Sequence, residues 1–433
     1  MKLRPFELGL IIVFAVLLLG SIVLLRTYDI GDEPTDPALT TGVTVWGTLP
    51  ADTFERILLD LAGQNDVYRN VTYRYVREED FDNELLNALA DQQSPDMVLM
   101  SSEKLVEHRN RLFPISYETF PERDFRNLYV DGASVFALDN GIYGFPIAVD
   151  PLVMYWNRDI FSSNGFLTPP TTWEDLVNNI APVITERDFN RNIDRATVAM
   201  GDFNNVKNAF PVISMLLAQA GSKFAIPKGN LYTLDLNIRL DGSTGAFTNT
   251  LTFYSNFSNI NNTLYSWNRS LPLDRDMFLS EDLALYFGYG SEARDLEAKN
   301  PNLSFDIAEV PQAQDASNKR TYGKYYGFFI LKAAPNKAGA YSVIQTLSQP
   351  AFAKRIADTN NLAPVHRSLL QQGSNDVYGR VIYSSAFNTK AWLNPDLDRL
   401  DDVFTKALED ISANRRDINS VVGDTNIRLR QIY

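Results

Sequence analysis

Between Thr41 and Met100 the hydrophobic period of the chain switches back and forth between two and about 3.6, and this alternation restricts the fold more than any other feature. Thr41–Thr48 (TGVTVWGT) alternates around Val43 and Val45 and turns at Gly47, which predicts a strand. Pro50–Ala62 places Phe54, Ile57, Leu58 and Leu61 on one helical face. Val71–Val76 (VTYRYV) is a second strand, and Glu79–Gln92 a second helix with Phe81, Leu85, Leu86 and Leu89 inward. Asp96–Met100 (DMVLM) is a third, apolar strand. A β-α-β-α-β order implies a parallel sheet with helices on both faces. Ligands of such sheets sit at the carboxyl ends of the strands. That rule alone nominates Trp46 and Thr48 after the first strand, and Ser101, Ser102 and Glu103 after the third.

The start of the chain reads differently. Lys2 and Arg4 precede Leu8–Leu25 (LGLIIVFAVLLLGSIVLL), which carries no charge and would span about 27 Å as a helix, close to the hydrocarbon core of a bilayer. The positive residues should stay cytoplasmic, so the bulk of the chain is expected outside, on a single-pass anchor in the cell membrane. A cleaved signal peptide is the competing reading. It needs small residues just after the apolar run, where this chain has Arg26, Thr27 and Tyr28. The Pro/Thr-rich stretch up to residue 41 reads as a linker.

Composition excludes several classes. The 433 residues contain no cysteine, so disulfides, thiolate metal sites and cysteine nucleophiles are absent. The two histidines, His108 and His366, stand far apart in sequence, which argues against the common zinc sites. A net charge of −13 with no basic patch argues against a nucleic-acid partner. Further along, Asn140–Asp159 reads as a tight turn and two apolar strands interrupted at Asp150–Pro151. Thr171–Asn179 begins a helix with Thr172 as N-cap. Helices are expected at Phe210–Ala220, Gly245–Asn256, Lys337–Leu347 and Leu400–Asn414, and strands at Phe305–Val310 and Tyr326–Leu331. Glu281–Phe287 leads into a turn at Gly288-Tyr289-Gly290.

Gly144–Asp159 (GFPIAVDPLVMYWNRD) followed by Pro169–Leu176 (PPTTWEDL) resembles the solute-binding proteins of carbohydrate ABC importers, the group that includes the maltose-binding proteins. Ser94–Met100 (SPDMVLM), Phe247–Asn256 and Tyr326–Asn336 (YGFFILKAAPN) carry weaker parts of the same resemblance, which covers residues 42–370. It implies an α/β, two-lobed, type II-like binding-protein fold with a ligand cleft. The first lobe would comprise 42–149 and 311–362, and the second 150–310 and 363–433. The 1–7 tip, the 8–25 anchor and the 26–41 linker would precede them. The resemblance also implies a monomer with no enzymatic activity and no cofactor, which captures a small ligand, a sugar, and passes it to ABC permease subunits. The chain departs from the family in lacking a lipid-accepting cysteine, and the apolar helix would do that tethering instead.

A sugar site needs aromatic platforms and a few oriented polar groups. The resemblance places Asp150 at the first crossover and a stacking aromatic on the glycine-rich loop, which nominates Phe287 and Tyr289. Asn205 and Tyr326 complete the candidate contacts beside Trp46, Thr48, Ser101, Ser102 and Glu103. A ligand sensor on the same fold is the alternative function. Ser101-Ser102-Glu103-Lys104 also forms an S-x-x-K acyl-transfer motif, but no K-T-G, K-S-G or S-D-N accompanies it.

Overall fold

A computed structural model describes residues 37–229, 231–236, 245–413 and 415–433. The apolar run 8–25 and its flanks lie outside these residues. Among the described residues no helix is long and apolar enough to cross a membrane.

The N-terminal alternation folds as its periods dictate. Strands β1 (Val43–Gly47), β2 (Val71–Tyr75) and β3 (Met97–Ser101) pair in parallel with β1 in the middle, where Val45 stands opposite both Tyr73 and Met97. Helix α1 (Ala51–Gln64) buries Phe54, Ile57 and Leu61, and α2 (Phe81–Ala90) buries Phe81 and Leu85. Leu86, expected inward, is instead exposed. It follows Leu85 by one residue, about 100° around the helix, and so leaves the buried face.

One strand decides the architecture. β4 (Phe145–Asn157) runs unbroken for 13 residues through Asp150–Pro151, where two separate strands were expected. Its first half pairs antiparallel with the return strand, Thr321–Ile330, setting Val149 opposite Tyr325. Its second half pairs antiparallel with Leu283–Tyr289 and with Phe305–Ala308. Numbered in order, these three are β6 (Leu283–Tyr289), β7 (Phe305–Ala308) and β8 (Thr321–Ile330), with β5 (Ile193–Val198) pairing parallel to β6. β8 also pairs antiparallel with β3, and a short β9 (Ala363–Pro364) pairs with β4 at Ala148 and Val149. Two sheets therefore share one strand, and each forms the core of one lobe. Pro151 falls at the handover between partners, where a missing N–H disturbs the ladders least.

The second lobe is filled by α3 (Ala209–Gln219), nearly every residue of which is buried, and by α4 (Ala246–Asn256). A helix apolar on all sides can sit only in such a core. The helix expected after Thr172 is capped as predicted, the threonine hydroxyl accepting from Asp175 N at 3.2 Å, but it passes into a π-turn over Leu176–Ile180. Helix α5 (Lys337–Leu347) matches its predicted span, whereas α6 (Pro350–Thr359) and α7 (Val377–Ala386) were not foreseen. The C-terminal pair α8 (Leu397–Ser412) and α9 (Ile418–Ile432) packs on the second lobe. The Phe404 ring lies 6.1–6.4 Å from those of Phe203, Phe210 and Phe247.

Candidate functional site

The parallel strands of each lobe aim their carboxyl ends at the gap between the lobes. β3 delivers Ser101 and Glu103 from one side; β5 and β6 deliver residues of Phe203–Asn208 and Tyr289 from the other. Two chambers open there, of about 660 and 450 Å³, sharing Glu103, Lys324 and Leu397. The first lies between Glu78, Asp82 and Ser101 on the first lobe and Asp396–Asp398 at the start of α8. The second is walled by Phe203, Asn204, Lys207, Tyr289, Asp401 and Asp402, with Glu103 and Lys324 completing it.

Glu103 is the hub. Its Oε1 accepts a hydrogen bond from the Tyr322 hydroxyl at 3.0 Å, and its Oε2 lies 3.7 Å from the Lys324 ammonium. Lys324 donates to Glu78 at 2.6 Å and stands 5.7 Å from the centre of the Tyr326 ring. Burial works against the lysine's charge, but Tyr326, Glu103 and Glu78 together outweigh it and hold its pKa well above the usual range. Period-two alternation along β8 sends Tyr322, Lys324 and Tyr326 toward this cluster. The intervening Tyr325 points away and bonds Thr389 through its hydroxyl.

Three hydroxyls at the strand ends, those of Thr48, Ser101 and Ser102, are buried and make no hydrogen bond within the protein. Ser101 and Ser102 are each 2% exposed, and Ser101 lines the larger chamber. A buried hydroxyl left unpaired costs about 1–3 kcal/mol, so such groups invite a polar partner. In the smaller chamber, burial raises the Asp401 carboxyl to about 7, helped by the charges of Asp398, Glu103 and Asp402, and its Oδ1 is buried without a partner. Burial likewise pushes the Tyr289 hydroxyl well above its usual range, with Glu103 adding to the effect. That side chain stays a neutral ring with one donor.

The remaining nominated residues hold the cleft rather than line it. Asp150 is 3% exposed and accepts from Ser291 N at 3.0 Å and from the Ser291 hydroxyl, clasping β4 to the loop after β6. Burial drives its carboxyl up to about 7, against the pull of both Ser291 bonds. Trp46 lies beneath the Arg74 guanidinium, 4.3 Å from its ring centre. Asn205 is spent on Trp267, Asn268 and Leu271, each at 2.9 Å, while its neighbour Asn204 lines a chamber. Phe287 packs on Trp173 in the core of the second lobe. Gly288 belongs to β6 and not to a turn: a Cβ there would come within 2.5 Å of Tyr286, so close packing explains the glycine.

Sequence reasoning missed Tyr322, Lys324, Lys207 and the acids of α8. The alternation at 322, 324 and 326 was a readable signal. Nothing local in Asp396–Asp402 shows that this helix start folds over a cleft. Lys104 of the S-x-x-K motif pairs with Asp82 and not with Ser101. Asp82, Glu107 and His108 form the one cluster of potential metal ligands among the described residues. The Lys104 ammonium and the His108 ring already occupy Asp82, so a cation would have to displace the lysine.

A second groove between the lobes, of about 700 Å³, is lined by Asp131–Leu138 segments on one side and Lys223–Pro227 on the other. Some of its charges are paired, Arg367 with Asp131 at 2.5 Å and Arg126 with Glu122 at 2.6 Å, and Asp139 accepts from Gly229 N at 2.5 Å, while Lys223, Arg320 and Lys390 have no ion-pair partner among the described residues. Arg109 reaches across from the first lobe to the Gly229 carbonyl at 3.0 Å.

Residues 65–354, more than half of the chain, match the family described as bacterial extracellular solute-binding protein. A protein of Brucella abortus (strain 2308), described as a candidate binding protein, is 19% identical over 340 residues, covering 76% of this chain and 77% of its own. The fold is that of a cyclo/maltodextrin-binding protein solved with maltotetraose (TM-score 0.72, 13% identity, 93% of this chain and 98% of that one). It is equally that of the sugar-binding protein MalE from Xanthomonas citri (TM-score 0.72, 19% identity, 90% and 97%).

Proposed function

We propose that this chain, which belongs to the family of bacterial extracellular solute-binding proteins, captures a carbohydrate in the cleft around Glu103 and hands it unchanged to an ABC permease. The observation that carries this reading is the unpaired, buried Ser101 hydroxyl at the end of β3, which lines a chamber between the lobes with Glu103, next to the chamber lined by Tyr289. Rings cover the C–H faces of a pyranose, while hydroxyls, Asn204 and the Glu103 carboxylate take up its rim. The structural neighbours named above support the choice, one of them holding maltotetraose. Ligand and closure are coupled: a sugar bridging both lobes binds the closed state better and shifts the population toward it. The apolar run 8–25 would keep the receptor at the membrane beside its permease. Tyr289 and Ser101 would touch the ligand, while Asp150, Trp46, Asn205 and Phe287 hold the walls.

The test is a melting-temperature screen of the purified full-length protein against mono- and oligosaccharides, amino acids and peptides. A sugar at one hundred times its Kd adds about 2.7 kcal/mol to stability and raises the midpoint visibly. A shift with peptides or amino acids and none with any saccharide defeats the carbohydrate reading.

A further inference from the structure

We propose that the groove beside Gly132 and Lys223 is a second binding site, which takes a phosphate group, free or carried by a small molecule, on Lys223, Arg320, Lys390 and the Ser222 hydroxyl. The site stands apart from the sugar cleft and does not depend on what that cleft holds. Three separate contacts bring its cations together. Gln219, the last residue of α3, donates through Nε2 to the Arg320 carbonyl at 3.1 Å, and Ser222 and Lys223 follow within four residues. Phe224 stacks on Trp392 with ring centres 4.8 Å apart, which draws the chain at Lys223 toward Lys390, two residues before that tryptophan. The short strand Thr389–Lys390 pairs with the start of β8 and sets Thr389 opposite Thr321, the residue after Arg320. All four residues line the groove.

The acids there are already engaged. Asp131 holds Arg367, Glu122 holds Arg126, and Asp139 accepts from Gly229 N. Lys223, Arg320 and Lys390 have no ion pair among the described residues. The Arg320 guanidinium donates to the Lys319 carbonyl at 2.9 Å. Lys390 feels the surplus: burial lowers its pKa, and the charges of Arg320 and Arg367 lower it further against the opposing pull of Asp131.

Crowded cations alone would be a solvated face. The second observation is Ser222, a groove residue only 9% exposed, whose hydroxyl is buried and has no hydrogen-bond partner within the protein. A hydroxyl can donate to a ligand oxygen. A carboxylate ligand would bring one charge and two oxygens to this set. A phosphate monoester brings a charge of about −1.5 to −2 and three strong acceptor oxygens, enough for several cations and a hydroxyl together. The planar fork of an arginine suits the same geometry. Leu138, Ala225, Pro227 and Leu393 add apolar wall, and about 700 Å³ leaves room for a small body attached to the phosphate.

The experiment is calorimetry on the full-length protein with inorganic phosphate, glycerol phosphate and acetate at one ionic strength. Phosphate should bind at a single site, and acetate about tenfold more weakly. Raising the salt should weaken both. Lys390→Gln and Arg320→Gln should each cost about tenfold in phosphate affinity, the scale of one charged hydrogen bond. Lys223→Gln, on an exposed side chain, tests the same point with no burden on folding. Ser222→Ala should cost about fivefold without lowering the melting temperature, since its hydroxyl has no partner to lose. Glu103→Gln, in the sugar cleft, should leave phosphate affinity unchanged. Tighter binding of glycerol phosphate than of inorganic phosphate identifies an attached phosphate as the ligand; the reverse identifies the free ion. Failure of both to bind, or acetate binding as tightly, overturns the inference. So does phosphate binding that Glu103→Gln abolishes and Lys390→Gln leaves intact, because the anion then sits in the cleft.

Discussion

The two gaps between the lobes are alike in size and opposite in chemistry. The groove beside Gly132 and Lys223 leaves cations unpaired: Lys223, Arg320 and Lys390 line it with no ion pair among the described residues. The cleft beside Glu103 leaves carboxylates unpaired instead, Asp398, Asp401 and Asp402, together with the Ser101 hydroxyl. The two gaps differ in the sign of the charge they leave open, and only the cleft stands at the carboxyl ends of the parallel strands, where ligands of such sheets sit.

That contrast predicts that perturbing the groove changes stability and perturbing the cleft changes affinity. The largest effect is expected from acid. His366 is fully buried near the groove against Tyr129, and burial holds its imidazole down to about 4, opposed by a smaller pull from the Ser348 backbone. The folded state thus prefers the neutral ring. The stabilisation is complete above the unfolded pKa near 6.5 and is lost as pH falls toward 4, by up to about 3 kcal/mol. Urea titrations of the parent and a His366→Gln variant between pH 7 and 4 should diverge by that amount; parallel curves would remove His366 from the account. Gly132→Ala comes next. A Cβ there would stand 2.0 Å from the Tyr325 hydroxyl and 2.6 Å from the Thr389 carbonyl, so overpacking should cost about 2 kcal/mol in urea midpoints. Ligand affinity at saturating stability should change little. The smallest effect is Ser101→Ala. Deleting a hydroxyl without a partner should leave the melting temperature unchanged or raised, while sugar affinity drops by about 1 kcal/mol, roughly fivefold. A loss of stability with unaltered affinity would reverse the roles assigned to the two gaps.

Local pattern carried most of the first lobe. Period-two and helical stretches before Met100 gave its strands and their order, because each element there buries a single face against its sequence neighbours. The carboxyl-end rule picked out Ser101 and Glu103, which line a chamber between the lobes, and also Thr48, which lines neither chamber. Asp150 and Asn205 show where it stops. Their residue types suit a ligand, but long-range partners, Ser291 and Trp267, claim their polar atoms. The opposite failure is α8, whose Asp398, Asp401 and Asp402 look like an ordinary acidic helix start. Only the docking of Phe404 on Phe203 and Phe210 carries them over the gap. Long-range contacts of that kind have no signature in a window of ten or fifteen residues.

The backbone of β4 is common property of both sheets, and this binds their fates. A slip of one residue in its pairing would exchange inward and outward side chains at both ends of the molecule at once. Neither half can thus misalign alone, and the C-terminal half cannot complete its sheet until the N-terminal half has donated that segment. Any turning of one lobe on the other has to bend β4 near Pro151, where its partners change. Sliding would break ladders on both sides of it. The molecule gives up independent folding of its halves and gains a fixed axis about which they turn.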